Sequence, residues 1–218
     1  MNKIVLSSGV NELEKFVDTT DIIVLRESTL NIVNYGQSLH LNIEIKENAF
    51  LILNIFDIAV RKEIVIDITS YDNSKFTLNV GFISEEKYTL KVNTNLFGNN
   101  IINDVNIRGI NENKSTVNII MNGTVVGKTV NNVINEYAKI INKSDASNIM
   151  IPNLIVNTND VVANHGVSIG GFRSDELFYL ASKGIDTENS KKMIEEGFIL
   201  SIMDESLLER IKNILIGR

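Results

Sequence analysis

The chain has 218 residues, 21 Lys+Arg against 27 Asp+Glu, a net charge of −6, 44% hydrophobic residues, one Pro and neither Cys nor Trp. A chain of this length can bury a core without disulfide or metal staples, and zero cysteines exclude a zinc ribbon, a CxxC redox pair, a Cys nucleophile and any thiolate of its own for iron–sulfur ligation. Negative charge without a dense Lys/Arg block argues against nucleic acid and anionic lipid as partners, since both require clustered positive charge.

The N-terminus carries no address: Lys3 is followed by only Ile4-Val5-Leu6 before Ser7-Ser8-Gly9, short of a signal peptide's apolar region. The most apolar stretch, residues 49–60, is broken by Asn54 and Asp57 and is too short to span a bilayer. A cytoplasmic protein is expected.

From Leu30 to Val126 the sequence alternates with period two. Leu41-Asn-Ile43-Glu-Ile45, Ile64-Val-Ile66-Asp-Ile68, Phe76-Thr-Leu78-Asn-Val80, Tyr88-Thr-Leu90-Lys-Val92 and Val117-Asn-Ile119 read as half-buried strands. Strand starts recur roughly every 10–13 residues with Asn, Asp, Gly and Ser between them, a spacing that fits a sandwich, a barrel or a β-solenoid. Asparagine stands at corners and within the runs (Asn42, Asn54, Asn79, Asn118), and it tolerates left-handed backbone and can bond along a stack of turns. That tilts the reading toward the solenoid. Residues 130–141 are ambiguous, because Val130, Val133, Ile134, Tyr137, Ile140 and Ile141 have helical spacing inside a β-like region.

After Gly171 the period changes. Ser174 is placed to cap a first helix with Asp175 and Glu176 in its first turn and Lys183-Gly184 closing it. Asp186 or Thr187 can cap a second helix carrying Ile194, Phe198 and Ile202. Ser206 can start a third with Leu207, Leu208, Ile211, Ile214 and Leu215 at helical spacing. The expected division is a β body with an N-terminal lead-in over 1–171 and a helical subdomain over 172–218.

Two short motifs fail on chemistry. Gly123-Thr-Val-Val-Gly127-Lys128-Thr129 has three residues between its glycines where a phosphate-binding P-loop needs four, so a turn between strands with Lys128 solvated is expected. Gly166-Val-Ser168-Ile-Gly170 matches a nucleophile elbow, which needs a histidine later in the chain, yet His40 and His165 both precede Ser168. His40 has no supporting context and is expected at the surface.

From Pro152 the chain reads Pro152-Asn-Leu154-Ile-Val156, then Asp160-Val161, then Asn164-His165-Gly166-Val167 and Gly170, then Leu177-Phe178-Tyr179-Leu180 and Lys183-Gly184-Ile185. These ordered anchors resemble the C-terminal signature of the SufB/SufD family of iron–sulfur cluster assembly proteins. Asn164 stands for the family's Ser, Val167 for its Ala and Lys183 for its Arg. The resemblance is close over residues 142–198.

It implies a mainly β fold, a right-handed parallel β-helix (solenoid) followed by a small C-terminal helical subdomain, with residues 130–141 forming a rung. It further implies a non-enzymatic scaffold subunit that dimerises through the β-helix with itself or a SufB-like subunit and docks a Suf-type ABC ATPase through the helices. A transient iron–sulfur cluster would be shared across the dimer and held by no single chain. Family members are usually longer, with an N-terminal helical region that has no counterpart in this sequence. The SufB-type cysteine is absent, and Gly166 stands where SufB-type members have Glu, so the pattern is SufD-like and His165 matches that type's functional histidine. His165 is the candidate ligand for the cluster or its metal. Asp160 is not assigned as its acceptor. The alternatives are a β-solenoid that binds or acts on carbohydrate, for which aromatic platforms are few, and a degenerate SufD paralogue without a cluster role.

Overall fold

The computed structural model describes residues 2–13, 19–35, 37–143 and 146–217; Met1 and Arg218, the outer bounds of the two expected regions, lie outside them. The strands are β1 (Asn2–Leu6), β2 (Gly9–Leu13), β3 (Thr19–Val24), β4 (Ser28–Tyr35), β5 (Leu39–Ile45), β6 (Phe50–Ser70), β7 (Lys75–Leu96), β8 (Ile102–Asn111), β9 (Thr116–Val125), β10 (Asn132–Asn142), β11 (Ser147–Val156) and β12 (Val161–Gly170). Every strand pair is parallel, and each partner lies one coil further along the chain. The fold is therefore a parallel β-solenoid. One wall stacks β2, β4, the first halves of β6 and β7, β8, β10 and β12; the other stacks β1, β3, β5, the second halves of β6 and β7, β9 and β11.

Residues 130–141 are a rung, with β10 paired to β8 and β12. Their helical spacing arises because Tyr137 and the partly covered Val133 face outward among inward-facing Ile134, Ala138 and Ile140. Strands begin at Asn2 and run to Gly170, beyond the β-rich stretch that alternation marked.

Period-two alternation sends one side of every strand inward, and in-register parallel stacking turns those side chains into columns. One column runs Leu30, Leu53, Leu78, Val105, Glu136, His165. Another on the opposite wall runs Ile22, Ile43, Ile68, Thr94, Gly123, Leu154. The first members of both are fully buried aliphatics, and the chemistry changes toward the C-terminal rungs.

Asparagine holds the outside of the stack. Asn48, Asn73, Asn100 and Asn131 sit at the same corner of successive coils with φ between 56° and 60°. There Asn131 donates to Asn100 at 2.8 Å and Asn100 to Asn73 at 2.9 Å. A second ladder runs along the first wall, where Asn106 donates to Asn79, Asn79 to Asn54 and Asn54 to Asn31. The sequence expectation that Asn would bond between turns is met at Asn54 and Asn79. Gly123 departs from expectation: it lies inside β9, not in a turn, and the turn begins after Val125, with Lys128 exposed at φ 68°.

Three helices follow: α1 (Ser174–Ser182), α2 (Thr187–Leu200) and α3 (Glu205–Ile216). The expected caps shift at two of them. Arg173 occupies the α1 cap position without a side-chain bond, and Asp204 rather than Ser206 caps α3 by accepting from the Ser206 N–H. Asp186 caps α2 as expected, accepting from the Asn189 N–H. Ile199, Met203, Leu207 and Ile211 pack on Val33, Phe56, Ile83 and Ile110 of the first wall. The asparagine ladder ends under this layer, where Asn31 donates to Ser206 Oγ at 2.8 Å. α1 buries none of its residues.

At one corner of the solenoid Lys62 and Asp57 form an ion pair of 2.6 Å with both side chains fully buried, one coil below the stacked rings of Phe82 and Tyr88. Burial pushes the Asp57 carboxyl up to about 6 despite the pull of Lys62, and it lowers the Lys62 ammonium despite Asp57. Desolvation of both charges outweighs their attraction.

Candidate functional site

The solenoid is uncapped at its C-terminal end. Among the described residues β11 pairs only with β9 and β12 only with β10, so both strands present one unpaired backbone edge. Inward-facing positions that are sealed in earlier coils are here left open, with Val167 41% and Ile169 46% exposed. Next to them on the outer face of β11, Ile149, Ile151 and Ile155 are also exposed. An apolar rung with a free strand edge is a template for another strand.

His165 stands in this rung. Its direction is fixed by its neighbours: Asn164 donates outward to Asn135 at 2.9 Å, and Ala163 packs inward with Ile134. His165 therefore points to the interior side, stacked in register over Glu136. Its ring is exposed because no further coil covers it.

Glu136 is fully buried, and neither carboxylate oxygen has a hydrogen-bond partner. Across the interior Gly123 leaves it room, for a Cβ there would lie 2.9 Å from Glu136 Oε1 and 2.5 Å from Ile134 Cδ1. Thr94, one coil below Gly123, is also buried with its hydroxyl unpartnered. Burial pushes the Glu136 carboxyl up to about 7 against a smaller opposing pull from the Thr94 hydroxyl. An apolar column ending in a buried acid under an exposed imidazole places two metal-ligating side chain types at the open end.

Sequence reasoning singled out His165 and did not single out Glu136. The available signal was a lone acid at an inward position of Ile134-Asn-Glu136-Tyr-Ala138-Lys-Ile140, which becomes visible only once the segment is read as a strand. Asp160 is exposed before the start of β12, five residues from His165, or about 16 Å in extended chain, and does not face the imidazole. Gly166 lies over Tyr137, whose Cδ1 would sit 3.1 Å from a Cβ there. His40 is half-exposed and has a partner: its Nε2 lies 2.7 Å from Asp67 Oδ2. Ser168 lies within β12 rather than on a strand-to-helix turn, so the nucleophile elbow is not formed. Among the described residues no cluster of three or more His, Asp or Glu could hold a metal ion, and no helix is long and apolar enough to cross a membrane.

α1 forms the second exposed feature. Phe178 is 77% and Tyr179 60% exposed, a large apolar pair on a helix that contributes nothing to the core.

These features define a parallel β-solenoid with helices packed on one wall and an open, histidine-bearing last rung. Residues 54–198 match the family described as SUF system FeS cluster assembly, SufBD core domain. The chain belongs to this family of iron–sulfur cluster assembly proteins. Among similar curated proteins, the iron–sulfur cluster assembly protein SufD of Bacillus subtilis (strain 168) is 32% identical over 66 residues, covering 30% of this chain and 15% of that protein. An iron–sulfur cluster assembly SufBD family protein of Mycobacterium leprae (strain TN) is 33% identical over 68 residues, covering 31% and 17%. A SufBD family protein of Pyrococcus horikoshii is 26% identical over 114 residues, covering 49% and 25%. The matched region thus spans between about a seventh and a quarter of the length of these relatives.

Proposed function

We propose that this chain is a non-catalytic scaffold subunit of a Suf-type iron–sulfur cluster assembly complex. It pairs through the open end of the solenoid with a second copy of itself or with a SufB-like subunit. It docks an ABC-type ATPase through the helical end, with Phe178 and Tyr179 of α1 as the anchors. The observation that carries the reading is the uncapped rung itself: a free strand edge, exposed apolar side chains and His165 lie together where a partner's rung would stack. Exposed aromatics are the usual anchors of protein interfaces.

The cluster is cargo in this account. Iron–sulfur clusters rely chiefly on thiolate ligands, and the sequence has no Cys. His165 therefore supplies one imidazole ligand at the junction, and the sulfur ligands come from the partner, a carrier or the cluster's own sulfide. The carbohydrate alternative rested on solenoid shape alone, and family membership draws the reading away from it.

Two variants of the full chain test the assignment of the two ends. Phe178→Ala with Tyr179→Ala should abolish co-purification with the ATPase while leaving subunit pairing intact. Val167→Lys with Ile169→Lys should do the reverse. Normal ATPase capture by the first variant, or normal pairing by the second, overturns the corresponding half.

A further inference from the structure

We infer that Glu136 is a second metal-binding residue of the His165 site, so that carboxylate and imidazole together bind a first-row divalent cation at the open end of the solenoid. The inference rests on the reading of His165 as a ligand and adds the residue that makes this position more than a lone histidine.

The two residues are in register on adjacent parallel strands and project to the same side of the sheet. Adjacent rungs lie about 4.8 Å apart, and donor atoms around a four- to six-coordinate cation lie about 3 Å from one another, so side chains one rung apart come within reach of a shared ion once they turn toward each other. Glu136 is set apart from the other covered acids by what it lacks. Asp57 has Lys62, and Glu112 and Glu195 share Lys143. Glu136 has no cation partner and neither oxygen makes a hydrogen bond, although it is fully buried and the Thr94 hydroxyl faces it across the interior. A buried carboxylate without a partner is costly, and a bound cation is one arrangement that satisfies it.

Apart from the Thr94 hydroxyl across the interior and His165 one rung above, the neighbours of Glu136 offer no polar side chain. Val105 lies below Glu136 in its column, and Ile134 and Ala138 flank it on its own strand. Gly123 opposite leaves space beside Oε1, and Leu154 closes the space above Gly123. His165 is the one member of the column above Glu136, and it opens to solvent. One nitrogen and one oxygen donor suit iron(II), cobalt(II) or zinc better than calcium or magnesium, which prefer all-oxygen sites. The remaining positions are open to water or to a partner subunit.

The test uses cobalt(II) alone, added to the purified full chain, with binding followed by visible absorption and by calorimetry. Wild type should bind about one cobalt per chain, and Glu136→Gln and His165→Ala should each weaken binding at least tenfold. His40→Ala removes the other histidine and should leave binding unchanged. Circular dichroism should show Glu136→Gln as fully folded as wild type. No cobalt binding by wild type at millimolar metal overturns the inference, as does wild-type affinity in Glu136→Gln or a loss confined to His40→Ala. The scaffold reading fails separately, since ATPase co-purification and subunit pairing are measured without metal.

Discussion

A Cβ on Gly81 would lie 2.6 Å from Met203 Cε and 3.0 Å from Ile199 Cγ2, so the absence of a side chain on β7 is what lets the α2–α3 connection close onto the first wall. Gly81→Val should therefore loosen the helical layer without breaking the solenoid ladder. Overpacking of this kind costs about 1–3 kcal/mol. Hydrogen exchange should show lost protection in α2 and α3 with the protection of β6 and β8 retained. Unchanged protection throughout would contradict the packing account.

The corner asparagines bear on stability through two effects at once. Asn100 holds φ at 57° and takes part in side-chain bonds with the coils on either side. Asn100→Ala loses both bonds and strains the left-handed backbone, and should cost about 1–3 kcal/mol in urea unfolding. Asn100→Gly restores the backbone freedom alone and should recover part of the loss. Equal losses for the two variants would mean that backbone strain plays no part.

The buried Asp57–Lys62 pair should behave as an expensive but compensated element. Removing one partner, as in Asp57→Ala, strands an ammonium in the core and should cost about 3–5 kcal/mol, whereas Asp57→Leu combined with Lys62→Met should range from neutral to about 4 kcal/mol stabilising. Urea unfolding of both variants checks this. A double variant clearly less stable than wild type would show that the pair contributes net stability.

Much of this architecture was legible from the sequence. Alternation located the strands because each coil has one solvated and one buried side, and Asn at the corners marked a stacked fold because left-handed corners and ladder bonds favour that residue. Residues 130–141 misled on spacing alone, since outward Tyr137 and half-covered Val133 filled in a helix-like pattern among inward Ile134, Ala138 and Ile140. Of the two residues proposed for the open end, the sequence singled out one. His165 sits in a dense local signature, but Glu136 lies 29 positions earlier in the sequence, and only the register of β10 on β12 brings them together. The His40–Asp67 contact was hidden for the same reason, because it joins two successive coils.

Glu136 also sets a pH dependence in the metal-free protein. The groups around it are Thr94 and Gly123 across the interior, Val105 below and His165 above. Its carboxyl is raised from an ordinary value of 4.5 to about 7, so the folded state binds the proton more tightly than the unfolded chain does. The stability this gives is fully present below about pH 4.5 and is lost as pH rises through about 7. Glu136→Gln carries no such charge. It should exceed wild type in Tm at pH 8, by an amount on the order of 1–3 kcal/mol in unfolding free energy, and match it near pH 4. Parallel Tm profiles for the two proteins would contradict a buried, unpaired carboxylate.

The most direct test of the central claim is cluster formation in a complex reconstituted from this chain, its family partner and the ATPase, supplied with iron and sulfide and followed by visible absorption. His165→Ala should leave folding, subunit pairing and ATPase binding at wild-type levels while cluster formation falls at least tenfold. Normal cluster formation by that variant would contradict the assignment of the open end as the assembly site and would make His165 a structural residue of a scaffold that carries no cluster.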